Sequence, residues 1–458
     1  MNYLRKTILL VVFFVVANAM QAQQVKTMYW LENAPMRHLM NPALQPASNF
    51  YLALPAIGYT SLWAGNNAMS LSDIADINLQ PYPDGVLWDK IPYYLKADVD
   101  AYVNVLSIGF RFNSKGYGTL NIAERASVGG VVPKAAVGML MKKGETEFDW
   151  KDLRASASLF TDISLGYSHK INHQWSVGGK VKLLLGHAYA QLFVDKMQFT
   201  STPDMASLNM GGSQYATSVI TDIVSGNGLA YPSTKDMLRS WIPGAGVAMD
   251  LGVTYKPIEH LELSASINDL GFIKWKDGAY SSFSADKVYT GWDNTDYEED
   301  LYGYEGIIMT DLWDMMGDAV QVTEPKNTTV LRMLNANIHL GVDGKFWEDR
   351  VGLGVHFNTK FLEQYINEEI TVSAFFCPLN WFNLAASYSL INGRWSNIGA
   401  ALGLAPYDGL MFTLSADYVP LKYAQESDSG LNLMLPYKTQ GFNLAFGVAI
   451  VAGTNKKK

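Results

Sequence analysis

The chain has 458 residues, of which 48% are hydrophobic, 12% aromatic and 17% charged. Charge is low and aromatic content high for a soluble protein, and a net charge of −8 at pH 7 gives no case for a nucleic-acid partner. The length could hold two or three soluble domains, but no Pro/Ser linker or compositional break divides it, so one large domain is expected.

Arg5 and Lys6, an apolar run from Thr7 to Ala17 and the small-residue site Met20-Gln21-Ala22 before Gln23 read as a secretory signal peptide over residues 1–22. No cysteine stands at the cleavage point to carry a lipid. Cys377 is the single cysteine, so no internal disulfide can form. Residues 23–50 contain Pro35, Pro42 and Pro46 and show no two-residue period. Beyond them no run of eighteen apolar residues occurs, so no membrane-crossing helix is expected.

From residue 51 to 452 the pattern is one of alternation. Strands are predicted near 51–63, 102–113, 117–125, 156–169, 174–187, 245–256, 260–272, 334–346, 350–361, 368–377, 381–391, 396–404, 409–418 and 440–452. Most run ten to thirteen residues, whereas strands of globular proteins usually have about five or six and about 9–11 tilted residues cross a bilayer. Successive side chains of a strand point to opposite faces. In the last strand Phe442, Leu444, Phe446, Val448 and Ile450 oppose Gly441, Asn443, Ala445, Gly447 and Ala449. The same split recurs in Val247, Met249, Leu251 and Val253 against Ala248, Asp250, Gly252 and Thr254, in Trp175 to Leu185 against Ser176, Gly178, Lys180 and Lys182, and in Leu410, Phe412 and Leu414 against Met411, Thr413, Ser415 and Asp417. An apolar face that repeats on every strand needs a covering layer, and for a closed barrel that layer is the bilayer. Tyr167, Trp175, Tyr255, Trp275, Trp381, Tyr388 and Trp395 fall near strand ends, where aromatic girdles sit.

Connection lengths agree. The even-to-odd links, 114–116, 170–173, 257–259, 347–349, 378–380 and 405–408, are all short. The long links, 64–101, 126–155, 188–244, 273–333 and 419–439, all run odd to even, with two further short ones at 362–367 and 392–395. Outer-membrane barrels sort their loops this way, short below and long outside. The expectation is an all-β transmembrane antiparallel barrel of about fourteen strands, both termini periplasmic, with a basic tail at 453–458. Its long outer loops are expected to carry short helices: Pro133 to Gly144 opens on Pro and closes on Gly, and 188–244 could place a helix over the mouth. Residues 277–324 hold twelve Asp or Glu and one Lys, Lys287. Within them Asp293 to Asp300 lacks the ligand spacing and glycine of a calcium loop and reads as a solvated acidic loop.

The inward face carries Asp162, Lys180, Lys182, Asp250, Glu262, Asp343, Lys345 and Asp417, and two histidines, His339 and His356. A hairpin tip at Trp347-Glu348 would place 339 opposite 356, with Cβ atoms about 4.5–5.5 Å apart. Such imidazoles are candidate metal ligands or pH sensors, or plain polar lining. Gly252, Ser264, Ser266, Gly341, Gly352, Gly354, Ala445 and Gly447 leave room inside for inserted chain. Residues 23–50 are expected to enter that space as a plug or to lie across the periplasmic rim. No Ser-His-Asp spacing, phosphate loop or metal-ligand motif stands out, so neither an enzyme nor a cofactor is expected.

Several short segments carry a resemblance. Arg37-His38-Leu39-Met40-Asn41-Pro42-Ala43 resembles the Asn-Pro-Ala start of long-chain fatty-acid transporter-like barrels. Ile267-Asn268-Asp269-Leu270-Gly271-Phe272-Ile273-Lys274-Trp275 resembles a signature strand of an uncharacterised Bacteroidota outer-membrane family in that superfamily, as do Ala123-Glu124-Arg125-Ala126-Ser127 with Pro133-Lys134, and Trp381-Phe382-Asn383-Leu384-Ala385. The resemblance implies a fourteen-stranded barrel whose N-terminal segment can enter the lumen, with Asn41, Pro42 and Ala43 as the plug motif. It implies no settled activity, since relatives include hydrophobic-substrate transporters and PorV-type subunits of a secretion machine. Many such barrels end on an aromatic residue, whereas this chain ends Asn455-Lys456-Lys457-Lys458, leaving Phe446 as an internal substitute. Two functions follow as expectations: an outer-membrane carrier or channel for small apolar molecules, or a scaffold for an envelope or surface-secretion partner. A carrier calls for an apolar cavity with an exit, and a scaffold for a sealed lumen and a partner surface.

Overall fold

The computed structural model describes residues 26–67, 91–136, 147–202, 205–217, 242–290, 318–379, 381–391, 394–407, 409–419, 423–425, 434–436 and 441–453. The strands are β1 (Phe50–Ala53), β2 (Thr60–Asn66), β3 (Tyr94–Arg111), β4 (Gly116–Pro133), β5 (Glu147–Trp150), β6 (Leu153–Lys170), β7 (Trp175–Thr202), β8 (Met205–Thr217), β9 (Gly244–Ile258), β10 (Leu261–Thr290), β11 (Gln321–Val322), β12 (Lys326–Met333), β13 (Asn337–Phe346), β14 (Val351–Phe361), β15 (Ile366–Leu379), β16 (Phe382–Ile391), β17 (Arg394–Tyr407), β18 (Leu410–Val419), β19 (Tyr423–Gln425), β20 (Met434–Pro436) and β21 (Gly441–Ala452). Fourteen staves form a closed antiparallel barrel in the order β1 with β2, β3, β4, β6, β7, β9, β10, β13, β14, β15, β16, β17, β18 and β21, and β21 pairs back onto β1 and β2. Closure satisfies every stave edge, which is the condition for standing in lipid.

The faces follow the alternation. Leu251 is 49% exposed and Asp250 1%; Val181 is 63% exposed and Lys180 4%. The exposed apolar band is the lipid face. An Arg at its midplane costs roughly 2–4 kcal/mol. Leu251→Arg is therefore expected to impair folding into lipid vesicles far more than Asp250→Asn, whose neighbour Lys182 keeps Asp269 at 2.6 Å. Equal losses of the heat-modifiable folded band on gels would refute the assigned faces.

Two interruptions shape the wall. The first stave breaks between β1 and β2: Ala53 pairs with Ala449 and Thr60 with Phe446, so residues 54–59 oppose only Gly447 and Val448. Pro55 has no N–H to offer a ladder. The Asn104 side chain instead donates to the carbonyls of Ala53 and Leu54, both at 3.4 Å. The second is a bulge. Ile267 pairs with Leu251 and Leu270 with Met249, so Asn268 and Asp269 share the single partner Asp250. Asp269 takes a left-handed backbone (φ 62°), and both side chains are buried. One extra residue turns every later side chain to the other face. Hence Phe272 faces out and Ile273 and Trp275 face in. The expected place of Trp275 in the aromatic girdle is thereby corrected: it is 1% exposed and stacks on Tyr189 at 5.3 Å.

Strands also run further outward than the alternation suggests. β7 has 28 residues and β10 has 30, more than twice what a crossing needs. Beyond the membrane β5, β7, β8, β10 and β11 form a sheet with its own core of Phe148, Trp150, Met197, Phe199, Leu208 and Phe283. The helix expected within 188–244 is replaced, over the described residues, by the β7–β8 hairpin. Met197 and Phe199, then Ala206, Leu208 and Met210, alternate into that core, a two-residue period that the Ser/Met/Gly composition conceals. Pro133 ends β4, and residues 134–136 are helical; the rest of the helix expected to Gly144 lies outside the described residues. So do the expected signal peptide, Lys456 to Lys458, and the acidic stretch Asp293 to Asp300. No helix among the described residues is long and apolar enough to cross a membrane.

Candidate functional site: the filled lumen

Residues 26–49 run through the barrel. They form two 3-10 turns, Thr27–Trp30 and Pro35–Leu39, the second opened by Pro35 at a position where the missing N–H costs nothing. Met28, Tyr29, Trp30, Leu31, Met36 and Met40 are each at most 3% exposed. Trp30 stacks on Phe375 at 5.7 Å with planes 3° apart, and Tyr29 Oη donates to Ser264 Oγ at 2.5 Å. The segment leaves at the rim of the short turns, where the Asn49 N–H reaches the Ala452 carbonyl at 3.0 Å and Arg111 Nη1 holds Gln45 Oε1 at 2.8 Å.

The wall is small where the segment touches it. A Cβ on Gly354 would strike the Trp30 ring, one on Gly178 the Pro42 carbonyl, and one on Gly252 the Asn41 side chain. Asn41 forms the tightest local device. Its Oδ1 accepts from the Ala43 N–H at 2.9 Å, and its Nδ2 donates to the Val253 and Ala265 carbonyls at 3.4 and 3.3 Å. The Asn-Pro-Ala turn thus closes on itself through one amide oxygen and fastens to β9 and β10 through the amide nitrogen. Ser266 Oγ and Asn268 Nδ2 both donate to the Met40 carbonyl at 2.7 Å, and Lys180 Nζ donates to the His38 carbonyl at 2.6 Å. Lumen side chains therefore satisfy main-chain groups that no sheet or helix serves.

Beside this segment lies a buried charge network. Arg125 grips Asp269 with two nitrogens, at 2.7 and 2.9 Å, and Asp162 at 3.3 Å. Lys182 Nζ lies 2.6 Å from Asp269, 2.8 Å from Asp250 and 3.7 Å from Asp162. Asp250 Oδ1 also accepts from the Asp269 N–H at 2.8 Å. Two cations and three carboxylates share one enclosure, the arrangement that buried charge requires. Parity alone misses Asp269, since strict alternation points it into lipid. The adjacent polar pair Asn268-Asp269 in an apolar strand was the available signal.

The remaining expected residues divide. Asp417 meets the inserted chain: its carboxylate accepts from the Lys26 N–H at 2.5 Å, from the Thr27 N–H at 3.3 Å and from the Thr27 hydroxyl. Asp343 pairs across the sheet with Gly354 and Glu262, whereas Lys345 reaches Glu32 of the inserted segment. For the histidines the register is corrected. Trp347, Glu348 and Asp349 all adopt positive φ, so the turn takes four residues and Phe346 pairs with Val351 rather than with 349. His339 therefore opposes Asn358, and His356 opposes Gly341. The rings still meet diagonally, with His339 Nδ1 3.3 Å from His356 Nε2, because Gly341 leaves space for the reach. No group of three or more His, Cys, Asp or Glu side chains placed to hold a metal occurs among the described residues.

Above the inserted segment a chamber of about 90 Å³ remains. Lys26 of the inserted segment lines it, with Tyr102 and with Phe160, Tyr189, Ile273 and Trp275, which pack in one cluster. The bulge at Asn268-Asp269 is what brings Ile273 and Trp275 to this cluster.

No curated protein matches the sequence. Among solved structures, the chain is similar to the Ralstonia pickettii toluene transporter TbuX (8% identity, 91% of this chain and 94% of that one, TM-score 0.43). It is also similar to the Pseudomonas putida toluene transporter TodX (10%, 95% and 96%, 0.43) and to a Pseudomonas aeruginosa FadL homologue (10%, 92% and 95%, 0.42). Residues 42–417, which carry Pro42 and Ala43, Arg125, the bulge and Asp417, match one family, and the chain belongs to it: the family of unknown function DUF5723.

Proposed function

We propose that this chain is an outer-membrane carrier for small, largely apolar molecules, held shut by residues 26–48. The observation that carries this reading is the set of Tyr102, Phe160, Tyr189, Ile273 and Trp275 in the chamber's lining, beside polar and charged groups such as Ser158, Arg125, Lys360 and Glu363. The nearby charges are engaged with one another, Arg125 with Asp269 and Lys360 with Asp98 and Asp100. An apolar body could therefore rest on the aromatic side without stripping an ion pair. An engineered apolar cavity of about 150 Å³ takes up benzene. The present chamber is smaller, so admission of a ring calls for movement of one of its boundaries.

Toluene, a single small apolar ring, is a suitable probe. Saturation-transfer NMR on the protein in detergent is expected to show saturable toluene binding, weakened about ten-fold or more by Trp275→Ala, since an aromatic contact and its buried area supply about 1.5 kcal/mol or more. Binding of a disaccharide in preference to toluene, or toluene binding indifferent to Trp275, would refute the reading. The second reading, an interaction scaffold, is favoured by the sheet of β5, β7, β8, β10 and β11, which carries its own core beyond the membrane. A barrel that only conducts does not require it.

A further inference from the structure

The link between β14 and β15 does not arch away from the mouth. Residues 362–365 make a tight turn, with the Leu362 N–H bonded to the Tyr365 carbonyl at 2.9 Å, and they reach inward across the lumen. β14 is the ninth stave and β3 the second, seven places apart in a ring of fourteen and so directly opposite. The turn nevertheless touches that far wall. Tyr365 Oη donates to Asp98 Oδ1 of β3 at 2.7 Å, and Gln364 Nε2 donates to Ser156 Oγ of β6 at 2.5 Å. Glu363 accepts from Tyr189 Oη of β7 at 3.0 Å and, on the near side, pairs at 3.3 Å with Arg332 of β12, the strand that precedes β13. Lys360, the residue before the turn's shoulder, crosses to Asp98 at 3.2 Å and to Asp100.

We propose that residues 362–365 are the outer gate of the chamber, released from the far wall to admit ligand and re-pinned behind it. This rests on the reading of the chamber as the binding site. Two features support a moving part. The turn's bonds to the far wall join side chains to side chains, and water can take the place of such partners when the turn lifts. The turn also forms a boundary of the chamber: Glu363 of the turn and Lys360 beside it line the space, as does Lys26 of the inserted segment. Gly129 of β4 faces the turn without a side chain, and a Cβ there would lie 3.2 Å from Gln364 Oε1. A larger residue would therefore press the turn off the wall without altering the turn itself.

The test reads access and does not depend on which ligand is carried. Ser158 lines the chamber; Ser158→Cys in a Cys377→Ala background supplies one reporter thiol. Intact cells are treated with a membrane-impermeant maleimide, and the labelling rate is followed in folded, heat-modifiable protein. The triple change Glu363→Ala, Gln364→Ala, Tyr365→Phe is expected to raise the rate about ten-fold or more, because the contacts to Tyr189, Ser156 and Asp98 are then lost. Gly129→Leu is expected to raise it in the same direction, and serves if the triple variant does not fold. A rate unchanged in folded opening variants overturns the gate. Failure of toluene binding with these rate changes intact overturns the carrier reading alone.

Discussion

Asp269→Ala is expected to be the most damaging single substitution inside the barrel. It removes the carboxylate that Arg125 grips twice and that Lys182 meets at 2.6 Å. Lys182 retains Asp250 at 2.8 Å, but Arg125 is left with Asp162 alone, at 3.3 Å. Breaking a buried ion pair from one side costs roughly 3–5 kcal/mol, because the surviving charge stays desolvated. Urea-dependent folding into lipid vesicles should show a loss of that order. The double change Arg125→Leu with Asp269→Leu removes both halves, and buried pairs exchanged for apolar groups are often neutral or better. It should therefore recover most of the loss. A double variant as unstable as Asp269→Ala would show that the bulge geometry, rather than the ion pair, is what matters at this position. A single variant as stable as the parent would show that the enclosure is wet enough to leave Arg125 solvated.

Deletion of residues 24–48, with residues 1–23 retained, is the second large expected effect. The segment fills the lumen with Trp30, Met36, Leu39 and Met40, and it is fastened by Ser266, Asn268, Lys180 and Asp417. Barrels a little larger than fourteen strands leave an aqueous passage when unfilled. Single-channel conductance in planar bilayers is therefore expected to rise about ten-fold or more in the deletion. The wall itself should survive, since its ladder of backbone bonds closes from β21 to β1 and β2 without the segment's help. Unchanged conductance in a heat-modifiable, folded deletion would mean that the passage is closed elsewhere. The turn at 362–365 is the first place to look, and combining the deletion with Gly129→Leu would separate the two barriers.

How much of this was legible in the residues depends on how local the cause is. The barrel class was, because alternation is a property of each strand by itself. The apolar face of Val247, Met249 and Leu251, repeated on every stave, calls for lipid wherever the strands sit. The stave count and the sorting of loops also came from periodicity and link length, both one-dimensional quantities. The inward direction of Asp250, Lys180, Lys182 and Asp417 followed from the same parity.

What parity cannot carry is any event that shifts it. The bulge at Asn268-Asp269 adds one residue, and that residue sends Asp269 to Arg125 on β4 and turns Ile273 and Trp275 into the lumen. Its cause is the partner set across the barrel, Arg125, Lys182 and Asp250, which only closure brings together. The four-residue turn at 347–350 likewise moved the histidine register by two, because three consecutive residues took a left-handed backbone that the types Trp-Glu-Asp do not announce. The outward run of β7, β8 and β10 escaped notice because its core forms between hairpins distant in sequence. The inward turn at 362–365 looked like one more short link. Its direction is set by Asp98, Ser156, Tyr189 and Arg332, on four other strands. Sequence determined which face each regular strand shows to lipid, because that depends on neighbours two residues away. Tertiary structure decided what fills and closes the interior, because those contacts join residues up to 391 positions apart and exist only once the barrel has closed.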